Sequence, residues 1–475
     1  MPSQHGFRFS DLRHYLPYVL LLIVFLIGVW IILTVGSNMN PAAQSPPPTT
    51  TSLTQGFKDN FRNPVSVLLM QIIVIIAMAG LFSRLFRKIH QPPVMGEMIA
   101  GIIMGPSVLG FFFPEAMAFL FPQSSLETLR MLAQIGVVLF MFVVGMELNV
   151  QHVRERGSAV VMISHASIVV PFLLGSTLSL FLYRDLAPPG TSFSAFALFI
   201  GVAISITAFP VLARILEDRG LSQTFLGSIA LTCAAVNDVT AWCILALVIA
   251  IVKASGIAVS LATVLFTLLF AAAMLFIVRP QLSRIVKETP QSRLQSRRLI
   301  GAILALVLAC ALVTETIGIH ALFGAFLAGI VMPSSVELRA FFRDKIEGFS
   351  SAALLPLFFA FTGLRTQIGL LNDWQSWAWC GVIIVVAIVG KLVGSMLMSR
   401  WTGMSWSHSF VIGTLMNTRG LVELVVLNIG YDLGILSGRI FAMMVLMALV
   451  TTFMTGPLLS LIKSEVYAPQ VAEAV

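Results

Sequence analysis

Residues 231–248 read LTCAAVNDVTAWCILALV, an apolar run with an acid, Asp238, near its middle. The run extends to about 222–252, long enough to cross a bilayer as one helix. Neither end is within snorkelling reach of position 238. An ionisable side chain at the bilayer centre costs at least about 2.5–3.5 kcal/mol, and those that persist there usually serve a function. The bland alternative is a protonated Asp hydrogen-bonded inside a helix bundle. The functional one follows from chemistry. A carboxylate is a hard oxygen ligand for an alkali cation, and its neutral form carries a proton. Proton and cation then compete for one group, and with access from two sides that competition gives coupled exchange. Asn237, its neighbour, supplies a neutral amide that does not titrate.

The rest of the chain has the same character. It has 475 residues, 58% of them hydrophobic and 11% charged, with a mean hydropathy of +0.95. Soluble domains carry about 25% charged residues, so the apolar residues must face lipid or each other. The net charge of +8 lies in short clusters between apolar runs. That is the pattern of membrane-protein loops, not of a nucleic-acid-binding patch on a soluble domain. No nucleic acid is expected as a partner. Cys233, Cys243, Cys310 and Cys380 all fall in apolar spans without a CxxC pair and read as small core residues.

Spanning segments are expected near 66–89, 92–109, 128–148, 157–183, 192–216, 222–252, 258–279, 297–317, 319–333, 348–368, 373–400, 406–430 and 437–462. A further N-terminal membrane helix is expected at 17–35. That run is long for a cleaved signal peptide and reads as an anchor. This predicts an all-α polytopic membrane protein of about 13 helices plus the N-terminal one. It divides into residues 1–16, cytoplasmic; 17–35, the extra helix; 36–64, a Pro/Thr-rich external linker; 65–462, the membrane domain; and 463–475, a short cytoplasmic tail. The loops test the count. With a cytoplasmic N-terminus, twenty of the 29 Lys and Arg fall inside and seven outside, while Lys391 and Arg419 lie within spans. One helix more or less would invert this positive-inside bias downstream.

Two spans are interrupted. Residues 203–220, AISITAFPVLARILEDRG, place Pro210 in the inner half of one. Proline removes a donor and clashes with the preceding turn, and Ser205 and Thr207 can satisfy the freed backbone or contribute oxygens. Residues 413–430, GTLMNTRGLVELVVLNIG, place Asn417, Thr418, Arg419 and Gly420 at mid-span in the other. These spans are seven helices apart and so run in opposite directions, as an inverted repeat requires. Paired interruptions of this kind mark the substrate site of many carriers. Asp238 and Arg419 are placed to neutralise the exposed half-helix ends. Lys391, in residues 383–400 (IIVVAIVGKLVGSMLMSR), is expected to face Asp238 and stabilise its anion; the alternative is a lysine snorkelling toward Arg400.

Other polar groups have plainer readings. Glu97 reads as a cap or structural partner, and Glu423 as a partner of Arg419 one turn away. Glu147 and Glu315 read as solvated span ends, and His165 as a satisfied core histidine. The spacing of IAGIIMG (99–105) suggests tight helix packing.

Several stretches together resemble the cation:proton antiporter-2 group of monovalent cation/proton antiporters, which includes Kef-type and Nap-type carriers. They are PPVMGEMIAGIIMGPSVLG, GVVLFMFVVGMEL, ITAFPVLARILEDRGL, AAVNDVTAW, GIHALFGAFLAGIVMP, FFAFTGLRTQI and MNTRGLVELVVLNIG, within residues 66–462. The resemblance implies thirteen helices with inverted repeats, a core and a dimerisation domain, two crossed broken helices and an elevator-type movement. By position it makes Asp238 the ion- and proton-binding acid, Thr207 the polar residue of the first broken helix, Lys391 the core lysine and NTRG (417–420) the second break. Electrogenic relatives carry two adjacent acids where this chain has Asn237–Asp238, so one cation per proton is expected. A chain ending soon after Lys463 is expected to lack the nucleotide-binding domain of many Kef-type members.

The function expected is therefore secondary antiport of Na+ or K+ against H+, serving pH homeostasis, by a homodimer in the plasma (inner) membrane with both termini cytoplasmic. Asp238 is the residue expected to hold the monovalent metal ion, and no cofactor is expected. A channel-like potassium efflux system is the alternative, though no repeated filter motif is visible. An intramembrane enzyme would need a nucleophile, base or metal constellation, and no such spacing appears.

Overall fold

The computed structural model describes residues 12–37, 60, 63–147, 157–222, 224–253, 257–288, 297–333 and 335–461. Most of the expected linker and the tail from 463 lie outside them. The chain forms two units, residues 1–63 and 64–475. In the first, α1 (Leu12–Ser37) covers the apolar run 17–35; its apolar part, Leu20–Val35, is shorter than the candidate spans of the second unit.

The second unit is a helical bundle. Among the described residues, eleven helices are long and apolar enough to cross a membrane, and a bent pair makes a twelfth. The ten-residue helix 321–330 occupies the place of the short span expected there. The helices of this unit, spanning or short, include in order α2 (Pro64–Lys88), α3 (Pro93–Met104), α4 (Gln123–Glu147), α5 (Gly157–Leu186), α6 (Phe193–Ser205), α7 (Phe209–Asp218), α8 (Phe225–Lys253), α9 (Ile257–Ala273) and α10 (Arg279–Glu288). Then come α11 (Arg297–Ile317), α12 (Ala321–Ile330), α13 (Val336–Phe342), α14 (Leu355–Arg365), α15 (Trp374–Ile388), α16 (Gly394–Trp401), α17 (Trp406–Met416), α18 (Leu421–Asp432) and α19 (Gly438–Ser460). π-Turns join α9 to α10 and α15 to α16. The second of these carries Lys391.

Short polar residues start several of these helices. Ser192, Asp373, Ser405 and Ser437 each accept a hydrogen bond from a backbone N–H of the first turn, as N-caps do. Lipid gives apolar helices no hydrophobic reason to associate, so close backbone approach does the work. Gly145 of α4 and Gly329 of α12 show it. A Cβ on Gly145 would lie 2.2 Å from Phe326 O, and one on Gly329 2.2 Å from Phe142 O. Gly101 and Gly363 join α3 to α14 in the same way, so the IAGIIMG glycines are packing residues.

The principal contacts sort the bundle into two groups: α2, α3, α4, α11, α12 and α14 in one, and α5, α6, α8 and α15 to α19 in the other. The seam between them has two ends. At one, Asp432 of α18 pairs with Arg365 of α14 at 2.7 Å and with Arg130 of α4 at 3.5 Å. At the other, the Gln91 amide donates to Phe453 O at 3.3 Å.

Candidate functional site

The two interrupted spans meet. The first is broken at Ile206–Ala208, between α6 and α7, and the second at Asn417–Gly420, between α17 and α18. Pro210 does not break a helix at its own position. It sits in the first turn of α7, where a missing N–H costs nothing. The breaks are tied by Ala208 N–H donating to Thr418 O at 3.1 Å and Thr207 Oγ1 donating to Met416 O at 3.1 Å. Gly420 is required by the crossing, because a Cβ there would lie 2.6 Å from Val211 Cγ2.

A broken helix strands carbonyls at its C-terminal end. Two cations take up those of α6. Arg419 donates to Ala203 O at 3.2 Å and Ile204 O at 2.6 Å. Lys391 donates to Ser205 O, and to Ser167 O on α5 at 2.7 Å. Both side chains are fully buried. Arg419 also pairs with buried Glu423 at 3.3 Å, one turn into α18. The lysine therefore does not snorkel, and its hydrogen bonds go to helix-end carbonyls. Asp238 is within its electrostatic reach but forms no ion pair with it.

Asp238 and Asn237 sit side by side on α8, both fully buried. Asn237 Oδ1 accepts from Thr207 N at 3.3 Å, and its Nδ2 donates to Ser167 Oγ at 2.7 Å. The backbone donor fixes which end of the amide is oxygen. Asn237 thus pins α8 to the first break and to α5. Asp238 is different. Neither of its carboxylate oxygens has a hydrogen-bond partner among the described residues. The Phe209 amide, the first of α7, is the donor nearest to serving it, though it falls outside hydrogen-bond geometry. Buried polar groups are almost always satisfied. A buried carboxylate without a donor costs several kcal/mol. Among the described residues no cluster of three His, Cys, Asp or Glu could hold a metal ion. A cation here would meet one acid and neutral oxygens.

The second break uses neutral groups. Thr452 of α19 accepts from Arg419 N at 3.0 Å and donates to Arg419 O at 2.8 Å. Thr418 Oγ1 is 3.5 Å from Thr455 Oγ1. The Asn417 side chain is buried with no partner among the described residues. Ser205, the other expected contributor, donates its hydroxyl to Val202 O at 2.8 Å.

Sequence reading passed over Ser167 and Thr452. Ser167 joins Asn237 to Lys391, yet it is one serine in an apolar run and nothing marks it. Thr452 could have been suspected only from α19 crossing the second break. Other expectations shift. His165 is exposed, not in the core, and its Nδ1 is 2.8 Å from Val161 O of its own helix. Cys243 is exposed as well. Glu97 accepts from Ser83 Oγ at 3.3 Å. Glu315 accepts from Ala321 N at 2.8 Å, starting α12. The side chain of Glu147 lies outside the described ones.

Crossed interrupted helices around a buried acid, in a bundle of membrane-spanning helices, define a membrane carrier. Residues 73–463 match the transmembrane sodium/hydrogen exchanger family. The chain belongs to this family of cation/proton antiporters, in its cation:proton antiporter-2 group. It is 43% identical over 397 residues to the Na(+)/H(+) antiporter NhaS4 of Synechocystis sp., covering 83% of this chain and 97% of that protein. It is 40% identical over 417 residues to Cation/H(+) antiporter 17 of Arabidopsis thaliana, covering 86% of this chain and 50% of that one. With K(+)/H(+) antiporter 1 of Saccharomyces cerevisiae it shares 33% over 429 residues, 88% of this chain and 49% of the yeast protein. The chain thus spans about half the length of the plant and yeast relatives. The fold matches the sodium proton antiporter NhaP1 of Methanocaldococcus jannaschii, with TM-score 0.59, 14% identity, and coverage of 82% of this chain and 96% of that one.

Proposed function

We propose that this chain exchanges Na+ or K+ for H+ across a membrane, with Asp238 binding the cation and the proton in turn. The observation that carries this is the state of Asp238: fully buried, both oxygens without a donor, beside the crossing of two broken helices. A proton or an alkali cation can supply what the protein withholds. Relatives named for Na+/H+ and K+/H+ antiport agree with that pair of substrates.

One acid per site favours one cation per proton. Asn237 cannot titrate, and the Lys391 ammonium is engaged with two carbonyls, which leaves the aspartate as the exchanging group. Alternating access follows if the group of helices carrying Asp238 moves against the group carrying α2 and α14 in an elevator-type step, in a homodimer. On this reading the ends rich in Lys and Arg face the cytoplasm of a cell whose plasma membrane holds the protein.

The test is transport by the full chain in liposomes. An imposed pH gradient should drive saturable uptake of Na+, K+ or both, with a rate unchanged when a potassium-independent voltage is imposed. Uptake that ignores the proton gradient would favour a channel. A rate that follows voltage would remove the one-to-one exchange.

A further inference from the structure

At the Lys/Arg-rich end of the bundle, a cavity of about 820 Å3 opens at the seam between the two helix groups. Its size lies in the range of sites for small organic ligands. One wall is the α2–α3 connection with Arg87, His90 and Gln91, and the other is the end of α7 and α19 with Arg219, Gly456 and Ser460. Two guanidiniums make it a poor antechamber for a cation, and none of its lining residues belongs to the Asp238 site.

Three details describe what it would hold. Arg87 and Arg219 offer planar donors of the type that grips phosphate oxygens in pairs. Arg219 is held in place by donating to Gly456 O at 2.9 Å, while the Arg87 side chain is exposed and forms no described hydrogen bond. Gln91, 6% exposed, lines the cavity with its Oε1 unpartnered, its Nε2 being committed to Phe453 O. That oxygen asks for a donor, which the phosphate of an ionised ester lacks and a hydroxyl elsewhere on the ligand supplies. Finally, the α2 terminus places His90 at φ +56, the one non-glycine residue with positive φ among those described. The bonds Gln91 N to Phe86 O and His90 N to Arg87 O close a helix end of the kind that normally carries glycine there. Strain of this sort is found where a side chain has a role, and His90 lines the same cavity as the two arginines.

We propose that this cavity binds a phosphate ester that also carries a free hydroxyl, the phosphate meeting Arg87 and Arg219 and the hydroxyl donating to Gln91 Oε1. A glycerol- or polyol-type lipid headgroup and a soluble sugar or glycerol phosphate share that chemistry, and basic pockets between membrane helices do take lipid headgroups. A seated ligand touches both helix groups and would resist their relative movement. That consequence rests on the exchange reading, whereas binding itself does not.

The experiment is thermal unfolding of the full chain in detergent with four probes: dioctanoyl phosphatidylglycerol, glycerol 3-phosphate, inorganic phosphate and dioctanoyl phosphatidylcholine. A saturable rise in Tm is expected with phosphatidylglycerol, with glycerol phosphate, or with both. A response to the lipid alone assigns a headgroup, and a response to glycerol phosphate assigns a soluble ester. Arg87→Gln, which breaks no described contact, should weaken the binding about tenfold, and so should Arg219→Gln. Gln91→Leu should weaken binding of the hydroxyl-bearing probes, and unchanged binding would remove the hydroxyl contact from the proposal. The proposal is overturned if neither hydroxyl-bearing probe gives a saturable rise, if phosphatidylcholine matches phosphatidylglycerol, or if Arg87→Gln leaves the response intact. Because the readout is binding, it stands or falls independently of transport.

Discussion

The two interrupted helices solve one problem with different chemistry. Each break leaves backbone groups without helical partners at membrane depth, where none can go unsatisfied. At the first, the carbonyls of Ala203, Ile204 and Ser205 are met by two buried cations, Arg419 and Lys391. At the second, a threonine hydroxyl serves both the N–H and the C=O of Arg419. Positive charge is thus concentrated at one break, and the two acids that answer it differ as well. Glu423 is paired within its own helix, whereas Asp238 is left open. The glutamate is an ion pair already closed; the aspartate has one cation, Lys391, within electrostatic reach and no ion pair with it.

Three substitutions test that contrast. Asp238→Asn should have the largest functional effect, reducing pH-driven cation flux to the level of empty liposomes. It should cost no stability and raise Tm if anything, because it removes a buried charge that has no donor. Normal flux in this variant would show that the open acid is not the exchanging group. Arg419→Met comes next, on stability. It strands two carbonyls and leaves Glu423 alone, so a loss of about 3–5 kcal/mol is expected, read as a fall in Tm and in folded yield. Adding Glu423→Leu should recover part of the loss. A double variant no better than the single one would mean that the closed pair is not what the arginine supports. The smallest effect belongs to Thr452→Val, about 1–3 kcal/mol for two lost hydrogen bonds, with Thr452→Ser near wild type. A valine variant as damaged as Arg419→Met would erase the distinction between a charged break and a neutral one.

Much of the bundle was legible in the chain. Each expected span from 66 to 462 has its helix, because apolar runs of spanning length bounded by charged loops leave the backbone few choices. The interruptions were legible too, since polar residues at membrane depth are rare enough to be read singly. Partner choice was less so. Lys391 was expected to answer Asp238; it reaches the acid by charge alone, while its hydrogen bonds go to carbonyls of two other helices. Pro210 was expected to break a helix and starts one. His165 was expected in the core and lies on the outside of α5. In each case the residue type fixed a need for a donor, an acceptor or a missing N–H, but several neighbours could meet that need.

Sequence alone determined a helical membrane protein with one deeply placed acid, two weak points in its spans and a family to which it belongs. Tertiary structure decided that the weak points cross, that two cations from distant helices cap one of them, and that Asp238 keeps both oxygens unpartnered. The division has a physical cause. Hydropathy and local polarity act along the chain and can be summed over a window, while hydrogen-bond satisfaction in a dry interior depends on which backbone ends arrive within 3 Å or so of one another, and only the packed bundle sets that.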